Sequence, residues 1–472
     1  MIVLPRSLAR RFRAVLRRSL QDLEQRNAWP LLLCRADERG LTLEAVCPDF
    51  ALRYHHPGPR PPDILVFRSS VLAEIEGRND APVELERVDA KAGRARFEEA
   101  GEPRCVEFDL VTTDSAPPFP QLPKKLAALP TAFLTALTEA ARTTAPSSGR
   151  LALSRIQLRG QKGEVIGTDG RQLLIQRGFP MPWKEDVLVP CLTALGGREV
   201  ETENEVGIGR TEKHVVVRTG PWTFALTVDA ASRYPDVGIA VPRATGTTTR
   251  VRLDEADAAY LIDTLPRLPG DAEDHSPVTL DLDHGAVVRA RGEDGAAAEA
   301  PLRHSTPVGP PVRLCMNRRL LRRALLLGLR DVQVIGADKP VAFTTDRLLY
   351  VVMTLDKGGA IPPGRKVLQL AQAPKQKQAP APPPLEEPAI ERREETMPAP
   401  TPADPPNGGN GSQQPPRYGI DELIDDAEQL RASLHDAGIR VSRLLAALKL
   451  HRRQSRALRS AVASLQQLQL GP

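Results

Sequence analysis

The sequence is poor in aromatic residues and contains no long apolar run. Aromatic residues make up 4% of its 472 residues, which argues against binding of single-stranded nucleic acid by stacking bases on aromatic side chains. No apolar run approaches the roughly 20 residues that a membrane-spanning helix requires. The basic N-terminal stretch also lacks the apolar core and the cleavage site of a signal peptide. We therefore expect a cytoplasmic protein with no membrane partner.

Cysteine is scarce as well, and no two cysteines are spaced as a pair. The five cysteines are Cys34, Cys47, Cys105, Cys191 and Cys315. Their scatter argues against a zinc site and is typical of a reducing compartment. The zincin motif HExxH, the nucleophile-elbow motif GxSxG and the P-loop motif are all missing from the sequence. The sequence therefore predicts no enzyme activity, no metal site and no cofactor.

The sequence does have an excess of positive charge. The formal net charge is +5 and the sequence pI is about 9.0. A basic protein suits an acidic partner such as nucleic acid. On charge alone, simple solubility explains the excess equally well.

Proline marks the main boundary in the chain. Fifteen of the 45 prolines fall between Pro362 and Pro416. Such a composition buries too little apolar surface to offset the entropy of ordering, and it predicts a disordered Pro-rich linker over residues 358–417. Apolar residues then return at helical spacing and predict a helical C-terminal extension over residues 418–470. This extension is either a helical hairpin with paired charges or a small partner-binding or self-associating module.

The chain before this linker contains a repeat of about 125 residues. Each copy begins with a helix, continues through a strand hairpin and contains a second helix. The hairpins are predicted at residues 40–55, 163–178 and 285–302. The second helices are predicted within residues 64–78, 186–200 and 312–328, where a short strand runs into the helix at Arg68-Ser69, Pro190 and Asn317. Apolar and polar residues alternate around each hairpin turn, as a half-buried hairpin requires. Three copies of one unit without a catalytic insert indicate a symmetric scaffold.

Four short segments match one known family in order and spacing. They are Gly167–Leu173, Val187–Pro190, Asp229–Asp236 and Tyr350–Leu355. Each alone is weak, because TDG and YPD are common turn sequences. On these segments and the threefold repeat, residues 1–357 resemble the bacterial DNA sliding clamp, the β subunit of DNA polymerase III. The chain departs from the family at Thr354, where the family has proline, and by continuing beyond Leu355.

The resemblance implies an α+β fold of three tandem sliding-clamp domains, each with helices packed on antiparallel sheets. The domains are expected at residues 1–122, 123–247 and 248–357. The resemblance also implies a homodimer that closes head to tail into a ring around double-stranded DNA, without reading its sequence. DNA polymerase III and clamp loader subunits would bind through short clamp-binding peptides. The chain would then be a processivity factor in DNA replication.

Two predicted helices carry arginine stripes opposite an apolar side. Diffuse positive charge suits contacts with phosphates that leave the base edges unread. The predicted DNA-binding residues are Arg10, Arg11, Arg13, Arg17, Arg18, Arg318, Arg319, Arg322 and Arg323. On an isolated helix, the same stripe is more often a merely solvated face. Of the other two predicted lining helices, the one at 130–146 is nearly uncharged and the one at 253–268 is acidic. The positive charge of the lining would therefore be uneven.

The resemblance also implies a groove for partner peptides between the second and third domains. By position its wall would be Leu153, Thr168, Gly170, Arg171, Leu173, Pro242, Val351, Met353 and Leu355. An apolar groove with a few polar anchors suits such a peptide, and methionine adapts to several partners. The alternative is that these residues are ordinary core between two domains.

Three functions therefore remain open from the sequence. The first is a replicative sliding clamp. The second is a paralogue that keeps the fold but serves as a non-replicative, DNA-associated interaction scaffold, which the uneven lining and the C-terminal addition favour. The third is a DNA-binding regulator whose basic C-terminal helix supplies the affinity, with a steep dependence on salt.

Overall fold

The computed structural model describes most of the first 363 residues. The described residues are 1–23, 29–145, 151–200, 205–242, 246, 248–270, 276–292, 297–363 and 368–369. The predicted disordered linker over 358–417 lies outside them, except for 358–363 and 368–369. There the prediction of disorder is wrong, because Ile361 is buried and Leu368–Gln369 pairs with Ala298 and Glu299. The predicted helical extension over 418–470 lies wholly outside them.

Five α-helices and 26 strands are present in the described part of the chain. The helices are α1 Arg6–Asp22, α2 Leu72–Ile75, α3 Ala132–Ala141, α4 Glu255–Thr264 and α5 Arg318–Leu326. The strands are β1 Ile2–Pro5, β2 Leu31–Asp37, β3 Gly40–Val46, β4 Phe50–Pro57, β5 Asp63–Arg68, β6 Pro82–Arg87, β7 Ala92–Glu99, β8 Glu102–Asp109, β9 Ala127–Pro130, β10 Arg155–Arg159, β11 Glu164–Thr168, β12 Gln172–Arg177, β13 Asp186–Pro190, β14 Glu205–Arg210, β15 His214–Thr219, β16 Trp222–Thr227, β17 Thr249–Arg252, β18 Pro277–Leu282, β19 Ala286–Arg291, β20 Ala297–Leu302, β21 Pro307–Val308, β22 Val312–Asn317, β23 Asp331–Val334, β24 Val341–Thr344, β25 Leu348–Val352 and β26 Leu368–Gln369.

Local sequence explains where the longer helices begin and which side they bury. In α1 the apolar residues Leu8, Phe12 and Leu16 recur every four positions and are buried, as expected of an amphipathic helix. The side chain of Asp254 accepts a hydrogen bond from a backbone N–H in the first turn of α4. Asn317 does the same for α5. Such N-caps satisfy N–H groups that have no partner within the helix.

The strands form three equivalent repeats, each made of two groups of four strands. The first repeat is β1–β8, the second β9–β16 and the third β17–β25, which contains in addition the two-residue strand β21, paired with β17 outside the two groups. Within each repeat one group contains the predicted hairpin, and the groups run in the orders β5-β2-β3-β4, β13-β10-β11-β12 and β22-β18-β19-β20. The other groups run in the equivalent orders β1-β6-β7-β8, β9-β14-β15-β16 and β17-β23-β24-β25. The α+β class and the tandem repeat are therefore confirmed.

Antiparallel strand pairing joins each repeat to the next. The hairpin strand β4 of the first repeat pairs with the last strand, β16, of the second repeat, in a register that places Leu52 opposite Phe224. In the same way β12 of the second repeat pairs with β25 of the third, with Leu173 opposite Val351. Continuous sheets of eight and nine strands therefore cross the two borders between repeats. The predicted borders at 122/123 and 247/248 fall between β8 and β9 and between β16 and β17, but their positions stay predictions.

One equivalent pairing is not made within the chain. By repeat equivalence, the hairpin strand β20 of the third repeat corresponds to β4 and β12, and β8 corresponds to β16 and β25. In the described residues β8 pairs only with β7. The outer edge of β20 carries the two-residue strand β26, which runs parallel to it. The four-stranded sheet of the first repeat and the five-stranded sheet of the third repeat thus remain separate.

The three predicted hairpins are confirmed as β3–β4, β11–β12 and β19–β20. The predicted strands before the second helices are confirmed as β5, β13 and β22, but in two repeats the helical part is shorter than predicted. Between residues 64 and 78 the helical part is a 3-10 turn followed by α2. Between 186 and 200 it is a 3-10 helix, Thr193–Gly196. Gly196 and Gly197 end this segment, since glycine is unfavourable in a helix interior. Only the third, α5, forms more than two turns.

The joint between the first and second repeats is packed around Trp222. Its side chain is fully buried. Its ring stacks on Phe12 of α1 at 5.9 Å between ring centroids and meets Tyr54 of β4 edge-on at 4.9 Å. Aromatic pairs in these arrangements add to the energy of apolar burial. Trp222 therefore ties α1 to the seam between β4 and β16.

Replacing Trp222 with alanine should lower the free energy of unfolding by about 3–5 kcal/mol, because the cavity it leaves cannot collapse fully. Urea denaturation followed by circular dichroism measures the change. Val308→Ala serves as the control, since Val308 is 72% exposed, and it should change stability by less than about 0.5 kcal/mol. Equal effects of the two substitutions would contradict this account of the joint.

Candidate functional site

A pocket of about 590 Å³ lies beside the joint between β12 and β25. It is lined by Ala152, Leu153, Thr168, Gly170, Arg171, Gln172, Leu173, Ser232, Arg233, Tyr234, Pro235, Asp236, Val237, Ala240, Val351 and Met353. These residues come from the second and third repeats. Only Val351 and Met353 belong to the third repeat, so the pairing of β12 with β25 completes a lining that the second repeat mostly supplies.

The β11–β12 turn forms one wall of the pocket and is held by its own side chains. The Asp169 carboxylate accepts hydrogen bonds from the backbone N–H groups of Arg171 (2.8 Å) and Gln172 (2.9 Å). The Thr168 hydroxyl donates to the carbonyl of Gln172 at 2.6 Å. Gly170 has a φ of +86°, a conformation that side chains with a Cβ rarely adopt. The turn formed by the TDG sequence is thus a wall held in place by its own hydrogen bonds.

The floor of the pocket is apolar and its rim is polar. Leu173 and Val351 face each other across the joint and are 3% and 2% exposed, whereas Met353 is 42% exposed at the mouth. Tyr234 closes one side and donates a hydrogen bond to the carbonyl of Ile166 at 3.5 Å. Burial raises the pKa of Tyr234, so its hydroxyl remains a neutral donor at physiological pH. An apolar floor with a few fixed polar groups is typical of a ligand site.

Seven of the nine residues predicted for the groove line this pocket. The prediction is corrected for Pro242 and Leu355, because neither residue lines the pocket in the described part of the chain. The backbone N–H of Leu355 donates to the carbonyl of Cys315 at 2.8 Å, which directs the chain away from the pocket and onto β22. On the other side the 3-10 helix Val237–Ile239 turns the chain, and Ala240 is the last lining residue.

Sequence reasoning missed the part of the wall that follows β16. Ser232–Asp236, Val237 and Ala240 all line the pocket. The sequence did contain a signal, since Asp229–Asp236 is one of the four segments behind the family resemblance. The sequence analysis does not include that segment in the predicted groove. Ala152 and Gln172 were missed as well.

The arginines of α1 divide into two groups. Arg10 and Arg17 are exposed to solvent. The other three donate hydrogen bonds to neighbouring elements: Arg11 to the Tyr54 hydroxyl (3.2 Å), Arg13 to the Glu76 carboxylate (2.9 Å) and Arg18 to the Thr193 hydroxyl (3.0 Å). Arg10 and Arg17 therefore carry the accessible charge of this helix.

The arginines of α5 divide in the same way, with Arg319 exposed. The prediction that Arg318 lies on an exposed stripe is wrong. Arg318 is 8% exposed and donates to the backbone carbonyls of Leu268 and Pro269. Burial lowers the pKa of its guanidinium. Arg322 donates to the carbonyl of Ile262 at 2.8 Å. A helical wheel could not show these contacts, because they depend on how α5 packs against the end of α4.

Arg323 connects the third repeat to the second. Its guanidinium donates to the carbonyls of Glu139 (2.8 Å) and Arg142 (2.9 Å), at the C-terminal end of α3. It also lies 3.2 Å from the Glu139 carboxylate and from the side-chain oxygen of Gln172. Its charged carbon lies over the Tyr350 ring at 5.7 Å from the centroid. A cation at the end of a helix offsets the partial negative charge of its free carbonyls.

Replacing Arg323 with alanine should therefore lower the free energy of unfolding by about 2–3 kcal/mol, because several half-buried acceptors lose their donor. Urea denaturation measures this. Arg319→Ala, one position from the buried Arg318 and exposed, is the matched control and should change stability by less than about 0.5 kcal/mol. A neutral result for Arg323→Ala would show that the contact contributes nothing to holding the repeats together.

Among the described residues, no group of three or more histidine, cysteine or acidic side chains is arranged to hold a metal ion. No helix in the same part of the chain is long and apolar enough to span a membrane.

Comparison with known proteins identifies the fold. No protein-family model matches the chain, and no curated protein matches it either. Solved structures do match, over 75% of this chain and 99% of theirs: DNA polymerase III subunit beta from Pseudomonas aeruginosa (TM-score 0.61, 18% identity), a DNA polymerase III beta sliding clamp from Bartonella birtlesii bound to griselimycin (0.62, 17%) and a DNA polymerase III beta chain from Streptococcus pneumoniae (0.60, 14%). The chain therefore has the sliding-clamp fold, with a widely diverged sequence.

Proposed function

We propose that this protein is a DNA sliding clamp. Two copies would close head to tail into a ring around double-stranded DNA. The ring would tether DNA polymerase III and clamp loader subunits, which would insert short peptides into the pocket beside β12 and β25. In this role the protein performs no chemistry and acts as a processivity factor in DNA replication.

One observation carries the proposal of a closed ring. Two joints between repeats are made by pairing a hairpin strand with the last strand of the next repeat. The third joint would pair β20 with β8, and these strands lie in separate sheets of one chain. A second copy can supply the missing strand, and a contact between two different surfaces closes into a ring when its rotation allows.

The accessible positive charge supports contact with a DNA backbone. Arg10 and Arg17 are exposed on α1, and Arg319 is exposed on α5. α1 follows β1 of the first repeat and α5 follows β22 of the third, so these cations lie on helices of two different repeats. A few separated cations suit phosphates without fixing a register along the duplex. We therefore propose Arg10, Arg17 and Arg319 as DNA contacts. Arg11, Arg13, Arg18, Arg322 and Arg323, all predicted as contacts, have partners within the chain.

The ring is tested by retention on circular and linear DNA. With a bacterial clamp loader and ATP present, the protein should stay bound to a nicked circular plasmid at moderate salt. It should be lost once the plasmid is cut, because a ring slides off free ends. Gel filtration of DNA-bound protein before and after cutting measures this. Equal retention on both forms would refute encirclement and favour ordinary DNA binding.

The pocket is tested with a peptide. A fluorescein-labelled peptide containing Gln-Leu-Ser-Leu-Phe should bind the full chain. Met353→Asp should weaken this binding by about tenfold or more, because it places a charge at the mouth of an apolar site. Fluorescence anisotropy gives the affinities. Leu326→Asp is the matched control, since Leu326 is an exposed apolar residue on α5 outside the pocket. The proposal fails if Met353→Asp binds as well as this control.

A second function keeps support from a specific observation. Only three of the nine predicted arginines are exposed, since the others have partners within the chain or, like Arg318, are buried. The electrostatic hold on DNA would therefore be weak. This favours the paralogue, a DNA-associated scaffold that keeps the fold without serving the replicative polymerase. Retention on circular DNA together with failure to stimulate DNA polymerase III would identify it.

A further inference from the structure

The chain does not end after the third repeat but turns back across the five-stranded sheet. The backbone N–H of Leu355 donates to the carbonyl of Cys315 in β22 at 2.8 Å. A Cβ atom at Gly359 would lie 3.6 Å from the Cys315 sulfur. Further on, the backbone N–H of Ile361 donates to the Thr279 hydroxyl in β18 at 2.8 Å. Ile361 is itself buried, at 7% exposure.

The direction of this segment follows one row of neighbouring residues across the sheet. Cys315 is opposite Thr279, Thr279 is opposite Arg289, and Arg289 is opposite Glu299. Beyond Ile361 the chain reaches the end of that row, where Leu368–Gln369 pairs with the outer edge of β20. We name residues 355–363 and 368–369 the strap. The described residues of the strap thus contact both edge strands of the sheet, β22 and β20.

The edge that the strap reaches is the one left open by the repeat. In the first two repeats the equivalent edges, on β4 and β12, receive β16 and β25 in antiparallel pairing. On β20 the same backbone groups face β26, and the pairing is parallel. A strand edge can pair with only one strand at a time. At the edge of β20, β26 and an incoming β8 therefore exclude each other.

We propose that the strap is an autoinhibitory segment that controls self-association. It occupies the edge of β20 in the single chain, and β8 of a second copy displaces it to complete the third joint. This rests on the proposed ring and adds its regulation. Only molecules with a released strap can pair. The apparent association constant between copies is therefore the intrinsic constant multiplied by the fraction of molecules whose strap is released. A partner that captures the strap would promote closure.

The second copy is the occupant that the edges themselves favour. β8 spans eight residues, and its outer edge has no strand beside it within the described residues. β20 spans six residues, of which β26 pairs with two. Exchange would replace this short parallel pairing with a longer antiparallel one of the kind that joins the other repeats. Antiparallel pairing is also slightly more stable per residue.

Two substitutions in the full chain release the strap by different means. Ile361→Asp removes its buried apolar contact, and Gln369→Pro removes a backbone N–H from the added strand. Sedimentation equilibrium should show self-association at least tenfold tighter for both variants than for the unaltered chain. Ile239→Asp is the control, since Ile239 is 85% exposed outside the strap, and it should leave association unchanged. Unchanged or weaker association of both strap variants would overturn the inference.

Hydrogen exchange tests the release of the strap independently of ring closure. At concentrations where the chain is a monomer, both variants should speed amide exchange in the Ala298–Glu299 pair, at the one N–H group of the two that faces β26, and unchanged exchange there would also overturn the inference. Retention on circular DNA tests the proposed ring without reference to the strap. A chain that is retained on circles, but whose association the strap variants do not strengthen, would refute the strap and leave the clamp intact. A chain that associates but is not retained would refute the clamp.

Discussion

The backbone N–H and C=O groups along a sheet edge need partners, and this chain supplies them by pairing the hairpin strand of one repeat with the last strand of the next. Two such pairings, β4 with β16 and β12 with β25, convert three repeats into continuous sheets. The remaining features depend on them. Trp222 packs at the first joint, and the pocket and the Arg323 contact lie beside the second. The unfinished third pairing is the basis for the proposed ring and for the proposed strap.

The second joint brings together the apolar floor of the pocket and the polar contacts of Arg323. On one side Leu173 and Val351 form an apolar floor that is open to solvent through the mouth at Met353. On the other side Arg323 connects α5 to the end of α3 and reaches Gln172, which also lines the pocket. Because Gln172 belongs to both, the pocket is built on a fixed support. A preformed site loses less entropy when a peptide binds.

The arginines show how far sequence patterns reach. Helical periodicity separated a charged side from an apolar side on α1 and α5. It could not distinguish Arg319, which is exposed, from Arg318, which is buried beneath the end of α4. Neighbours on a wheel are set by helix geometry alone, whereas burial depends on which element packs against each turn. In the same way, Pro242 and Leu355 were assigned to the groove by position in a family pattern, although the chain turns before one and away from the other.

The sequence by itself determined the three hairpins, the threefold repeat and the TDG turn. These depend on residues close in the chain: alternating side chains, a glycine with positive φ, and an aspartate that binds its own turn. The tertiary structure alone decided which hairpin strand meets which last strand, and that β26 lies on β20. Those pairings join residues far apart in the chain through backbone groups common to every sequence. Side-chain patterns therefore predict the hairpin strands but not their partners across a joint.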